Sequence, residues 1–356
     1  MATSATFNNI TYHGNDGDIG EAIVKRLIQG LALERLGFVV RTDITVREEM
    51  LFVALQDKLT RPGTGCGVSA NNGNVSVSSK WLEPRDCEIE DVYCAKDWDK
   101  KVKGVALKVG VNLKDMTDTD IGKLLVELYA DVWKRDSKNL ALNGDTAQAG
   151  GSQANAAFYA TMDGIWKYLM SGVASAAGDG AQVQRFTVAA TTSTALPADY
   201  TANVFLPGLY AKQSNRMRAM DDENPEGNDG EASRVSEKLY VVSDELWENY
   251  YQTLANNKVL ESSWRVLQDG SKTLSYRGIP VVREHLFDEG AADKGETTIR
   301  RGWLVVQGNL EAGFDTDTEG AVMEFFYDKK SKSNTMRINW QECVNYAQGD
   351  MIVVGY

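Results

Sequence analysis

With 356 residues, 43% of them hydrophobic and 25% charged, the chain has the composition of an ordinary globular protein and the length to bury one or two substantial cores. Its formal net charge of −12, from 50 acidic against 38 basic residues, argues against a dedicated nucleic-acid binder, which carries a basic patch or stripe. No stretch is long and apolar enough to span a bilayer, Leu51-Phe-Val-Ala-Leu55 being a typical short run, so no membrane partner is expected.

Residues 1–18 read as an irregular polar arm, without the basic start and apolar run of a secretory signal. Asp18 is placed to cap a helix over about 19–36, with Ile23, Val24, Leu27, Ile28 and Leu31 on its apolar face and Gly37 as its stop. The first 50 residues hold five Lys/Arg against seven acidic residues, so there is no basic DNA-binding arm. From Phe38 to about Lys100 the pattern is mostly extended: Val39, Val40, Ile44 and Val46 precede an expected short helix near 47–55. Glycine-rich turns follow at Arg61-Pro-Gly-Thr-Gly-Cys-Gly-Val68 and Asn71-Asn-Gly-Asn74, with strand alternation to Ser78 and a further strand from Ser79 towards Trp98. This stretch is too poor in apolar mass to supply its own core. A lone hairpin is marginal in water, so it must lie on something else.

The segment 117–169 is the most regular. Thr117-Asp-Thr-Asp120 has the form of a capping box. Ile121, Leu124, Leu125, Leu128, Val132 and Trp133 then recur at helical spacing as one apolar stripe, with Leu125 or Leu128 expected to be buried. Asp118 and Asp120 suit the positive end of the helix dipole, and Lys134 and Arg135 the negative end. The spacing predicts a helix over about 118–138, roughly 20 residues or about 30 Å, that stops before the turn Asn143-Gly144-Asp145. A small-residue loop (147–157) leads to a second short amphipathic helix over Met162–Leu169.

Residues 187–355 read as mixed α/β. Val204-Phe-Leu-Pro207 and Lys238–Val242 are strand-like, and a helix starting at Ser243–Glu245 carries Leu246, Trp247, Tyr250, Tyr251 and Leu254 on one side. Strands are expected near 279–283, 303–307, 321–327, 335–340 and 351–355.

Chemical motifs fail on inspection. The two histidines, His13 and His285, lie beside no nucleophile motif. Gly65-Cys-Gly-Val-Ser-Ala70 matches a dinucleotide fingerprint by letters but lacks the strand before it and the helix after it, so it reads as a hairpin tip. Asp315-Thr-Asp-Thr-Glu-Gly320 mimics a calcium loop, yet Phe326 stands where the bidentate Glu belongs. Asp221–Glu231 packs six carboxylates into eleven residues and reads as a solvated loop, like charges at this density repelling one another. Cys66, Cys87, Cys94 and Cys343 show no close-pair spacing, which points to reduced thiols and cytoplasmic synthesis. The eight tryptophans are scattered as core or interface anchors. No catalytic, cofactor-binding or metal-ligating residue is nominated.

The order of these elements carries more than any one of them. Ser79-Lys-Trp-Leu-Glu-Pro-Arg85 running on to Cys94-Ala-Lys-Asp-Trp98, then the long helix, the Asn143-Gly-Asp turn, a short helix from Asp163-Gly-Ile165, Tyr276-Arg-Gly-Ile-Pro-Val-Val282, and Gly308-Asn-Leu310 with Gly313 together resemble the major capsid proteins of tailed bacteriophages, which share the Hong Kong 97-like fold. The resemblance spans most of the chain. It implies a mixed α/β (α+β) fold with an N-terminal arm and helix (1–37), a long β-hairpin arm (38–100), a peripheral domain with a spine helix (101–186), an axial domain (187–320) and late strands returning to these domains (321–356). By resemblance the arm, with Arg61, Gly63, Gly65, Gly67, Lys80 and Trp81, packs between subunits. Pentamers and hexamers of one chain would close into an icosahedral shell around double-stranded DNA, with portal, scaffold and other head proteins as partners, no enzyme activity and no cofactor. An encapsulin-like nanocompartment shell is the first alternative, distinguished by a neighbouring cargo gene. A carboxylate-dependent hydrolase is the second, distinguished by a monomer or dimer in solution.

Overall fold

The computed structural model describes residues 5–7, 10–12, 33–55, 75–93, 120–151, 155–174, 182–188, 196–222, 237–259, 263–266, 272–295, 300–315, 323–331 and 333–356. The first two strands, β1 (Ala5–Phe7) and β2 (Ile10–Tyr12), pair as a small hairpin where an irregular arm is expected. The helix expected over 19–36 falls mostly outside the described residues; its end is a short 3-10 turn, Glu34–Leu36, closed by Gly37 in the left-handed region.

Two sheets form the body. The five-stranded sheet joins β3 (Phe38–Arg41), β13 (Leu310–Phe314), β15 (Ser333–Tyr346) and β14 (Met323–Asp328) in that order, with β6 (Arg85–Tyr93) pairing β15. At 14 residues β15 is its backbone: residues 333–338 pair with β14, 342–346 with β13 and 334–342 with β6. The seven-stranded sheet runs β7 (Gln184–Phe186), β16 (Ile352–Gly355), β12 (Gly302–Val306), β8 (Lys238–Val242), β11 (Ile279–Arg283), β10 (Lys272–Tyr276) and β9 (Trp264–Val266).

The period-two geometry of β8 explains how one sheet serves two cores. Leu239 and Val241 join the first core with Trp303, Val305 and Val354, and this core continues into Leu310, Ala312, Phe314, Ile338, Trp340 and Val344 of the other sheet. Tyr240 and Val242 face the second core, against Phe205, Leu206, Leu209, Leu246 and Tyr250. Every residue of β8 is buried, which accounts for its uninterrupted apolar run after Lys238.

Seven α-helices lie among the described residues. Helix α1 (Asp120–Asn143) spans 24 residues, beyond the expected end near 138. It continues because Ser137, Asn139 and Asn143, polar residues that ordinarily end an amphipathic pattern, are buried with partners. Lys134 and Arg135 are therefore interior to the helix, and no basic residue stands in its last turn. Then follow α2 (Ala156–Tyr159), α3 (Ile165–Ala174), α4 (Leu206–Ala211), α5 (Asn215–Asp222), α6 (Asp244–Asn256) and α7 (Leu286–Asp293). Two elements differ from expectation. Residues 204–207 are helical, a π-turn over Thr201–Phe205 leading into α4, with Pro207 just past the junction. Residues 48–55 form β4 (Glu48–Leu55), not a helix, because β5 (Val75–Leu82) pairs with it along its whole length.

Glycines set the closest approach in the body. At the end of α1, Gly164 donates its N–H to the Gly144 carbonyl at 2.8 Å, and a Cβ on Gly164 would lie 2.6 Å from the Leu140 carbonyl oxygen. The Asn-Gly-Asp turn and the Asp-Gly-Ile start of α3 are thus two halves of one backbone contact.

Candidate assembly surface

Strands β4 and β5 pair as a two-stranded sheet separate from the two large ones. Its root is fastened to its own chain. Ile44, Met50, Leu82 and Cys343 make a small separate cluster. The Trp81 carbonyl accepts from Asn345 Nδ2 at 2.9 Å, and Lys80 Nζ lies 3.0 Å above the ring of Tyr346. Burial pulls the Lys80 amine down to about 7. Trp81 is exposed on the other side under the Arg47 guanidinium, 3.9 Å from its ring centre. Lys80 is thus an anchor to the body rather than a free arm residue, while Trp81 presents a surface. Arg61, Gly63, Gly65 and Gly67 lie outside the described residues.

Helix α1 corrects the expected apolar stripe. Leu125 (4% exposed) and Trp133 (1%) are buried, but Leu128 (51%) and Val132 (47%) are not. The side chains of Ile121 and Leu124 lie outside the described residues. Advancing about 100° per residue, the buried face runs through Leu125, Tyr129, Trp133, Ser137 and Leu140, rotated roughly a quarter turn from the stripe read in the sequence. The two share an edge at Leu125 and Trp133. What remains is a second apolar line, Leu128 and Val132, open to solvent in the single chain. On β6, Val92 is 57% exposed, while Tyr129 donates to Asp91 and contacts Tyr93, joining helix to strand.

Three polar junctions tie the elements of the body together. Asn143 Nδ2 donates to Asn139 Oδ1 and to the Leu286 carbonyl, both at 2.8 Å, and its Oδ1 accepts from buried Arg301 at 2.7 Å. Arg301 also donates to the Phe287 carbonyl and lies over the Trp166 ring. With one Arg135 guanidinium nitrogen donating to both oxygens of Glu289, and Lys138 on Glu284 at 2.6 Å, this ties α1 to α7 and the seven-stranded sheet. At the second junction, fully buried Lys238 donates to Gln213, to the Met217 carbonyl and to Asp221 at 2.6 Å. Asp221, first residue of the acidic segment, is therefore committed to an internal ion pair and also accepts from Tyr210; residues 223–231 lie outside the described residues. The third junction joins α1 to β15: Ser137 Oγ donates to Glu342 at 2.7 Å, and Trp340 Nε1 donates to the same oxygen at 3.0 Å.

Nothing in this geometry assembles a reaction centre among the described residues. His285 precedes α7 and is solvated, its side chain 61% exposed, and His13 lies outside the described residues. Cys87 and Cys343 are buried free thiols, and burial with the nearby Glu342 charge pushes Cys343 up to about 12, so its thiolate is suppressed. Among the described residues, no group of three His, Cys, Asp or Glu could hold a metal ion, and no helix is long and apolar enough to cross a membrane.

No family model matches the sequence, and no curated protein matches it. Solved structures do match in fold. The satellite phage P4 procapsid, which includes the size-determination (Sid) protein, superposes with a TM-score of 0.54 at 10% identity, covering 94% of this chain and 89% of that one. The capsid of an empty GTA particle matches with a TM-score of 0.50 at 11% identity, over 90% and 94% of the two chains. The capsid of the myovirus phage XM1 matches with a TM-score of 0.50 at 12% identity, over 91% of each. The likeness defines the architecture: a mixed α/β fold of the Hong Kong 97-like kind, shared with these capsid chains along nearly the whole of this one.

Proposed function

We propose that this chain is the major capsid protein of a tailed double-stranded DNA bacteriophage, self-assembling as pentamers and hexamers into an icosahedral head shell. The observation that carries the reading is end-to-end likeness: about nine-tenths of this chain and of three capsid chains share one architecture, so the match is to whole shell subunits rather than to a common fragment. In this reading α1 is the spine helix of a peripheral domain built on the five-stranded sheet. The seven-stranded sheet with α4 to α7 is the axial domain, and the β4–β5 hairpin is the arm that reaches a neighbouring subunit. The exposed line of Leu128 and Val132 supports this, because apolar side chains left open in one subunit are suited to burial between subunits. Extended arms enlarge the area buried per contact, as obligate assemblies require. The protein acts in the virion, after assembly in the host cytoplasm, beside portal and scaffold proteins, with packaged DNA held by proximity rather than by specific contacts. The acidic balance suits that role, since each neutralised phosphate would strengthen a salt-dependent grip.

Negative-stain microscopy of the purified full chain tests this. Closed shells of uniform size are the expected result. A monodisperse monomer or dimer under every assembly condition, with or without co-expressed scaffold, would remove the proposal.

A further inference from the structure

Glu342 is fully buried under the long helix, and its two oxygens are treated unequally. One accepts from Ser137 on α1 and from Trp340 on its own strand; the other, Oε1, has no hydrogen-bond partner. Among the described residues no cation is paired with it; Lys80 on β5 lies over the Tyr346 ring. On the strands beside it, the residues in register are Phe314 on β13 and Arg85 on β6, and the Arg85 guanidinium reaches Glu83 instead, with its side chain 62% exposed. The thiol of Cys87 and the Asp86 carboxylate on β6, and Cys343 on β15, add no positive charge, nor do Glu311 on β13 and Glu48 on β4. On α1, Lys138 is taken by Glu284, Lys134 by Asp131, and Asp136 is itself half-buried and acidic. A carboxylate here would be an unpaired buried charge, whereas a carboxylic acid keeps both hydrogen bonds accepted at Oε2, carries its proton on Oε1 and buries no net charge.

We propose that Glu342 is a proton-controlled clasp between the long helix and strand β15: neutral, it lets α1 seat tightly on the sheet, and on losing its proton it loosens that joint. The clasp is a property of the subunit and stands whether or not the chain forms shells. Burial raises the Glu342 pKa to about 7, with the Ser137 and Trp340 hydrogen bonds opposing the rise in part. The sign follows from linkage. Between the ordinary value, 4.5, and about 7, the closed joint holds a proton that the open joint releases, so rising pH favours opening. The effect is about tenfold per pH unit at most and levels off above the folded value. Near neutral pH the clasp sits at its midpoint, where small shifts in proton activity change how firmly the helix is held.

Hydrogen–deuterium exchange of the full chain between pH 5 and 8, corrected for intrinsic exchange, reads this directly. In the native chain, protection of amides in 133–143 and 340–346 is expected to fall with rising pH up to about 7 and then flatten, while protection in β8 stays constant. Glu342→Gln, neutral at every pH and nearly the same shape, should hold the joint's protection flat. A native joint with no pH dependence, or a Gln variant with the native slope, overturns the clasp. Should Glu342→Gln fail to fold, infrared spectra of the native chain and of Ser137→Ala decide. A protonated-carboxyl band that titrates near neutrality and moves when the Ser137 donor is removed supports the clasp; no such band, or one indifferent to Ser137, rejects it.

Discussion

Leu125 and Leu128 stand three residues apart on one helix, yet one is buried and the other is half open to water. Their substitutions should separate folding from assembly. Leu125→Ala removes buried methyl groups and leaves a cavity under α1, at a cost of about 2–5 kcal/mol. Leu128→Ala removes surface atoms and should change subunit stability by no more than about 0.5 kcal/mol. If the outer line of α1 is buried between subunits, Leu128→Ala nonetheless reduces the yield of closed shells. Denaturant unfolding of unassembled subunits and particle counts in the microscope give the two readouts. Equal loss of stability from both changes would contradict the orientation of the helix. The sequence misleads here because a stripe read from apolar letters is centred on side chains that face out. The real contact face is completed by Tyr129, Ser137 and Ala141, residues a hydrophobic periodicity discounts.

The β4–β5 hairpin poses the corresponding question for an element. Its root is bound to the body through Met50, Leu82, Lys80 and the Trp81 carbonyl, so shortening its far end should not unfold the subunit. Deleting residues 63–74 is expected to leave a soluble, folded chain by circular dichroism and thermal melting, and to abolish closed shells. Normal particles from that deletion would show the tip to be dispensable for assembly. Legibility at this scale follows the kind of signal each element carries. Strands 238–242 and 279–283 and the helix after Ser243 lie where the pattern places them, because buried strands and strongly amphipathic helices report their own periods. Residues 48–55 do not, since Glu48-Glu-Met-Leu-Phe-Val-Ala-Leu55 suits a helix locally and becomes a strand only through pairing with β5. Residues 204–207 err in the opposite direction: Val204, Phe205 and Leu206 have strand letters, and the helix there is imposed by packing of Phe205, Leu206 and Leu209 on the second core. The polar junctions were illegible for a different reason. Ser137 meets Glu342 across 205 positions and Asn143 meets Arg301 across 158, so no local window contains both partners.

For the molecule as a whole, the acidic balance constrains how copies come together. Each chain brings a formal charge of −12, so the proposed shell would concentrate like charge while the exposed apolar line on α1 favours contact. The range of the repulsion depends on salt: about 30 Å at 0.01 M ionic strength, comparable with a subunit, and about 8 Å at 0.15 M, where only near neighbours feel it. The attraction, being burial of apolar surface, is little affected over this range. Raising sodium chloride from about 10 mM to about 150 mM should therefore increase the fraction of chain in shells at fixed protein concentration, as read by light scattering and sedimentation. The gain should level off at higher salt, once the screening length is shorter than the spacing between surface charges. Loss of shells over the same range would mean that cross-subunit ion pairs, not apolar burial, hold the particle together, and the weight placed on Leu128 and Val132 would have to move to the charged faces of β6 and α6.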